Sequence, residues 1–221
     1  MNENKNRFSS KTLVTMAMLC AIAFIAKWIT NFLPTVQGFL SFDIKDTVIA
    51  IGGFMLGPLP AALISLVVGV IEMVTISSTG PIGLVMNLLS TCSFACVAAA
   101  IYRRNKTMKS AVAGLVGGVL CMTVVMLLWN WLITPLYMGV PREVVTGMLM
   151  SVFLPFNLAK GGINATLTML LYKPVVTALR SAGLVEPGSG GKRTTKWGVL
   201  VVTIVLLATF ILWGLVLANV I

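Results

Sequence analysis

Residues 197–221 read WGVLVVTIVLLATFILWGLVLANVI, 25 positions without one charged side chain. As a helix rising about 1.5 Å per residue the segment reaches roughly 37 Å, enough to cross a hydrocarbon core of about 30 Å with some tilt. Working back from it, comparable apolar runs recur at Val152–Leu179, Ser110–Tyr137, Ile82–Tyr102, Ala61–Ile76 and Thr12–Phe32, with a shorter one at Asp46–Leu56 closed by Gly57-Pro58-Leu59-Pro60. Hydrophobic residues make up 58% of the 221, charged residues only 10%, and mean hydropathy is +1.00. That leaves too little polar surface to coat a water-soluble globule, so lipid must be the outer solvent. The expected fold class is an all-α integral membrane protein, a six-helix bundle with an additional C-terminal transmembrane helix.

The expected organisation is a tail at 1–11, a six-helix membrane domain at 12–183, a Gly/Ser/basic linker at 184–196 containing Glu186–Lys196 (EPGSGGKRTTK), and the extra helix at 197–221. The run at 46–56 is too short to span and carries Gly52-Gly53, which suits a helix held inside the bundle or re-entrant. The runs at 110–137 and 152–179 exceed one crossing, so parts of them are expected outside the core. Met1–Lys11 is polar and no cleavage site follows the first run, so that run is expected to stay in the membrane.

Net charge is +10, from 16 Lys+Arg against 6 Asp+Glu. In a soluble protein this would suggest nucleic acid. Here the basic residues sit between apolar runs, so the expected partner is the lipid bilayer and not nucleic acid. With the N-terminus inside, the cytoplasmic segments collect Lys5, Arg7, Lys11, Arg103, Arg104, Lys106, Lys109, Lys173, Arg180, Lys192, Arg193 and Lys196. The outer loops keep Lys45 and Arg142. That asymmetry implies a multi-pass plasma-membrane protein whose last run carries the C-terminus outside. Cys20, Cys92, Cys96 and Cys121 lie in apolar runs, and the chain has no histidine, so they read as packing residues and not metal ligands.

Ionisable or amide side chains inside apolar runs are costly and invite a functional reading. They are Lys27, Glu72, Asn87, Asn130, Asn157, Lys160 and Asn164. Lys27, near the outer end of its helix, is expected to snorkel to the interface. Glu72 is expected to pair with a lysine or to face the outer cavity. The sharpest constellation is Pro155-Phe156-Asn157-Leu158-Ala159-Lys160-Gly161-Gly162. Asn157 and Lys160, three apart, share a helix face, and Pro155 suits a first helical turn. Trp129-Asn130-Trp131 places one amide among large rings and is trailed by Pro135-Leu136-Tyr137. The plainer reading of Asn130 and Asn157 is hydrogen bonding between helices; an unpaired buried ammonium at Lys160 has no such plain reading.

Asn130 among aromatics, the trailing Pro-x-Tyr and then Pro-Phe-Asn-x-x-Lys-Gly resemble the riboflavin-binding S components of energy-coupling factor (ECF) transporters. So do Phe42-Asp43-x-x-Asp46 entering the second helix, the Gly52…Gly57-Pro58 turn, and Gly80-Pro81-Ile82-Gly83 opening the fourth helix. The resemblance covers roughly residues 10–180. It implies a six-helix fold with a pocket open to the outside, capped by the loop after the first helix. It also implies that Asn130, Asn157 and Lys160 hold the polar edge of the isoalloxazine. An amide both donates and accepts and an ammonium only donates, which suits an edge alternating carbonyls with one N–H. Phe39, Leu40, Trp129, Trp131 and Phe156 are candidate apolar walls, and Gly38 and Gly80–Gly83 candidate backbone contacts for the ribityl chain. Asp43, Glu72 and Asn87 complete the candidate substrate-binding set. The resemblance further implies riboflavin as transported ligand with no cofactor, and as partners a transmembrane coupling subunit (T component) and two ATPases. It places Ala17 and Ala21, small residues four apart, at the contact with that subunit; ordinary internal packing is the plainer alternative. Such S components usually end after the sixth helix, so the seventh run is a departure.

Three rivals remain. A membrane-embedded enzyme needs a carboxylate cluster, a histidine or an activated nucleophile, and Asp43, Asp46 and Glu72 form no recognisable dyad in sequence. An ion-coupled carrier needs paired broken helices or an ionisable relay. An S component for another vitamin or precursor differs only in its ligand. No Gly-x-x-x-x-Gly-Lys-Ser/Thr loop occurs, so energy for transport must come from elsewhere.

Overall fold

A computed structural model describes residues 9–182 and 197–220. Positions 1–8 of the expected tail and the linker with its Lys192, Arg193 and Lys196 lie outside the described residues. The chain runs α1 (Ser10–Thr30), a hairpin of β1 (Thr35–Val36) and β2 (Leu40–Ser41), α2 (Lys45–Leu56), α3 (Pro58–Thr75), α4 (Gly80–Asn105), α5 (Met108–Met138), α6 (Arg142–Met148), α7 (Leu154–Ser181) and α8 (Trp197–Leu217). Among the described residues six helical segments are long and apolar enough to cross a membrane, α6 and α7 counting as one. The expected helical membrane fold with one further C-terminal helix is what forms.

Local chemistry sets the ends. Ser9 caps α1 by accepting from the Thr12 N–H, and Thr107 caps α5 by accepting from Ser110. Pro58 and Pro81 open α3 and α4 in the first turn, where no N–H partner is needed. Gln37 and Gly38 have φ of 55° and 77°, which turns the chain back between the strands so that Val36 pairs with Leu40.

The short run at 46–56 is the bundle's axle. Nine residues of α2, from Lys45 to Phe54, are buried, and the helix is ringed by α1, α3, α4 and α7. Two expectations fail at the sixth run. It is not one helix beginning near residue 152, and Arg142 is not in a loop: helical structure starts at Arg142 and passes through a π turn, Leu149–Phe153. Pro155 is the physical reason. It has no N–H for the Ser151 carbonyl and its ring crowds that turn, so the preceding backbone widens and Leu154 N–H reaches back to the Leu149 carbonyl.

α4 and α5 approach closely at two glycines. A Cβ at Gly114 would lie 2.7 Å from the Ala98 carbonyl oxygen, and one at Gly118 2.5 Å from that of Phe94. The Gly114-x-x-x-Gly118 pattern thus packs inside the chain. Gly118→Val is expected to force these helices apart and to cost about 1–3 kcal/mol by overpacking, read as a lower unfolding midpoint of the detergent-solubilised protein. An unchanged midpoint would show that the contact is slack.

The bundle has two distinct ends. At one, Arg103 meets Gly57, and Phe54, Tyr102 and Tyr172 form an aromatic cluster with two edge-on contacts. At the other, the hairpin residues Val36 and Leu40 join Val145, Phe153 and Phe156 in a second apolar cluster, against which Leu217 and Ala218 pack. α8 therefore runs antiparallel to α7, and its C-terminal end lies at the hairpin end.

Candidate functional site

Under the hairpin, five parts of the chain bring six ionisable side chains into the protein interior. Lys27 comes from α1, Asp43 from the loop after β2, Lys45 and Asp46 from the first turn of α2, Glu72 from α3 and Lys160 from α7. Each is no more than 6% exposed. Three ammonium and three carboxylate groups balance in charge, which is what burial at this depth requires.

The pairing is specific. Lys160 Nζ donates to Asp43 Oδ2 at 3.0 Å and lies 3.8 Å from Asp46 Oδ2. Lys45 Nζ bridges both oxygens of Glu72, at 2.8 and 2.6 Å. Lys27 Nζ donates to Ser41 Oγ at 3.0 Å and stands 3.9 Å from Asp43. Thr91 Oγ1 donates to Asp46 Oδ1 at 2.6 Å. Asn164 ties the loop and α2 to α7: its amide donates to the carbonyls of Asp43 and Lys160, and its oxygen accepts from the N–H and hydroxyl of Thr47. Asp43 Oδ1 and Asp46 Oδ2 are buried acceptors with no hydrogen-bond partner among the described residues. They border the Lys160 ammonium and leave acceptor capacity for a donor-bearing molecule.

Two sequence-based expectations are corrected here. Lys27 does not snorkel: the hairpin folds over the C-terminal end of α1 and encloses its ammonium. Lys45 is not a loop charge in water but the first residue of the buried α2. The pairing of Glu72 with a lysine is as expected, and the carboxylates that formed no dyad in sequence are each paired with an ammonium once four helices and a loop converge.

Asn157 and Lys160 both point inward from α7. Neither expected asparagine bonds between helices. Asn130 donates to the Met126 carbonyl at 2.7 Å and accepts from Thr134, while Asn157 donates to the Phe153 carbonyl at 2.7 Å, at the π turn. The Asn157 carbonyl oxygen takes no part in that bond. Phe39, Trp129 and Gly83 line a cavity with Thr134 and Tyr137, and Gly80, with φ 56°, opens the helix that forms one wall. The cavity holds only about 10 Å³, room for about one water. That is far less than a flavin occupies, and Phe39 lies against Tyr137 and Phe153 at ring separations of 5.5 and 6.4 Å. Leu40 and Phe156 are buried in the apolar cluster beneath the hairpin, Gly38 is exposed at its tip, and Asn87 is half-buried on α4. Trp131 is not a wall: it faces outward with the Arg142 guanidinium 5.1 Å from its ring centre.

Ala17 and Ala21 are exposed on α1 and line a groove of about 460 Å³ with Cys20, Phe24, Leu63 and Val67. All four cysteines are free thiols, and no group of His, Cys, Asp or Glu is arranged to hold a metal among the described residues. Sequence reasoning missed Lys45, Asp46, Thr47 and Thr91 as parts of the network; an acidic-basic-acidic spacing at the mouth of an apolar run was the signal available for the first two.

The chain is 29% identical over 181 residues to the riboflavin transporter RibU of Staphylococcus aureus (strain TCH60), covering 79% of this chain and 95% of the relative. It is 26% identical over 189 residues to the riboflavin transporter FmnP of Bacillus subtilis (strain 168), covering 78% and 97%. A solved S component of a bacterial ECF transporter superposes with a TM-score of 0.65 at 29% identity, over 77% of this chain and 98% of that one. The family model for the substrate-specific component of ECF transporters matches residues 11–172, a span that holds the hairpin, the central α2 and every charge of the buried network, and the chain belongs to that family.

Proposed function

We propose that this protein captures riboflavin at the hairpin end of the bundle and delivers it across the plasma membrane as the S component of an ECF importer. The observation that carries this reading is the convergence of Lys160 and Asn157 on one face of α7 beneath a hairpin that can close over them. Two relatives named as riboflavin transporters support the choice of ligand. Lys160 donates to a pyrimidine carbonyl of the isoalloxazine, and the amides of Asn130 and Asn157 meet the neighbouring donor and acceptor. Phe39, Leu40, Trp129 and Phe156 supply apolar contact to the ring system. Gly38, Gly80 and Asn87 stand where the ribityl chain would pass. Entry requires Phe39 to leave Tyr137 and Phe153, so the hairpin acts as the lid.

The basic end, with Arg103, Arg104, Lys106 and Lys109, faces the cytoplasm together with the N-terminus, and the hairpin end and the end of α8 face outside. With no nucleotide-binding loop of its own, the protein depends on a transmembrane coupling subunit and two ATPases. The groove beside Ala17 and Ala21 is where that subunit docks, small side chains allowing one of its helices to come close. Titration of the purified protein with riboflavin, read as quenching of flavin fluorescence, tests the ligand. Saturable quenching at one site per chain is expected; no quenching by folded, ligand-free protein would overturn riboflavin and reopen the vitamin. Replacing both alanines by tryptophan is expected to abolish riboflavin uptake in cells that depend on this protein while leaving quenching unchanged. Normal uptake by that variant would remove the docking assignment.

A further inference from the structure

α8 lies beyond the residue at which the family match ends, 172, yet it reaches the same site. We propose that α8 is a built-in strap that holds the hairpin loop against α7, keeping Asp43 on Lys160 and slowing exchange of the ligand; this rests on the riboflavin reading above. Three positions on one stripe of α8 carry it. Phe210 fills the space beside Gly162, where a Cβ would come within 2.5–2.6 Å of three of its ring atoms. Gly162 is two residues past Lys160 on α7. One turn along α8, Gly214 receives the ring of Phe42, whose Cζ lies 3.2 Å from where a Cβ would be. Phe42 also packs against Phe156 at a ring separation of 4.9 Å, and it immediately precedes Asp43. A further turn on, Leu217 and Ala218 pack against the cluster that contains the hairpin residues Val36 and Leu40.

Positions 210, 214 and 217–218 follow the i, i+4, i+7 spacing of one helix face. The stripe thus bridges both halves of the Lys160–Asp43 pair: Phe210 sits behind the lysine's helix and Gly214 behind the aspartate's loop. The opposite face of α8, with Val205 and Leu212 more than half exposed, is left to lipid. Between apolar helices in lipid, shape complementarity and not hydrophobic gain selects the contact; a ring seated on one glycine and a glycine seated on another ring are such complementarity. Opening the lid requires Phe42 to leave Gly214, or α8 to peel from α7.

The test uses full-length protein carrying Phe210→Ala, or Gly214→Leu, which occupies the seat of Phe42. Riboflavin release is followed as recovery of flavin fluorescence in a chase. Release is expected to quicken by about tenfold or more, with association changed less, as is usual when a closed contact is loosened. Val205→Ala, on the lipid face, is expected to release as wild type does. A second reading needs no ligand: hydrogen exchange of the hairpin amides 35–41 is expected to accelerate in both strap variants. Wild-type release together with wild-type exchange in folded variants would overturn the strap. If wild-type protein fails to bind riboflavin, the functional reading falls, and hydrogen exchange alone still decides the strap. If Phe210→Ala is not monodisperse, Phe210→Leu, which removes the ring but keeps an apolar side chain, is read in its place.

Discussion

Lys160→Ala is expected to abolish tight riboflavin binding and also to destabilise the empty protein, and a second substitution separates the two losses. Lys160 is the ammonium within hydrogen-bonding distance of Asp43, and it stands beside Asp46. Removing it strands two buried carboxylates, with Lys27, 3.9 Å from Asp43, and Lys45 as partial compensation. Breaking a buried pair from one side costs about 3–5 kcal/mol, because the remaining charge stays desolvated. Loss of the contact to a flavin carbonyl adds about 1–3 kcal/mol on the binding side. Lys160→Ala with Asp43→Asn removes the stranded charge at its nearest point. The unfolding midpoint is expected to recover most of its fall, while flavin quenching stays weak. The opposite pattern, with binding restored alongside stability, would make Lys160 a counter-ion only and take it out of the ligand site. Wild-type affinity in the single variant would have the same consequence.

That experiment turns on a partnership that sequence patterning alone does not reveal. The helices were legible because hydrophobic run length reports membrane spans directly, and even the short α2 was recognisable as internal from its length and its Gly52-Gly53. Asn157 and Lys160 were legible because they sit three apart on a continuous helix, where spacing determines the face. Asp43 and Lys160 are 117 positions apart, and nothing in local periodicity says that a loop will fold onto a helix that far along the chain. Lys45 misled for a related reason. Charge counting treats a basic residue between two apolar runs as exposed to water, and only the position of Glu72 on a neighbouring helix makes its burial affordable. The seating of the hairpin on α5 and the break at the π turn were likewise hidden. The first depends on Phe39 finding Tyr137 and Phe153, and the second on how the backbone absorbs the missing N–H of Pro155. α8 was visible as a span, but its role depends on which glycines it meets.

The Lys45–Glu72 pair gives the second large effect and assigns Glu72. Both oxygens of Glu72 are engaged by Lys45, at 2.8 and 2.6 Å, and both side chains are almost wholly buried. Lys45→Met leaves a bare carboxylate inside the bundle, and Glu72→Met a bare ammonium, so each single variant is expected to lose about 3–5 kcal/mol. Installing both together replaces the ion pair by two apolar side chains of similar length, a change that is often neutral or stabilising. The double variant is therefore expected to unfold near the wild-type midpoint, a strongly non-additive result that a double-mutant cycle reads directly. Riboflavin affinity in that variant is expected to stay within a few-fold of wild type, since the hydrogen bonds lost are those the two residues make to each other. If the double variant is stable but no longer quenches flavin, Glu72 reaches the ligand, and the site extends from α7 across the bundle to α3. If it binds normally, the six buried charges divide by role: Lys45 and Glu72 fix the start of α2 against α3, while Lys160, Asp43 and Asp46 form the part that riboflavin meets.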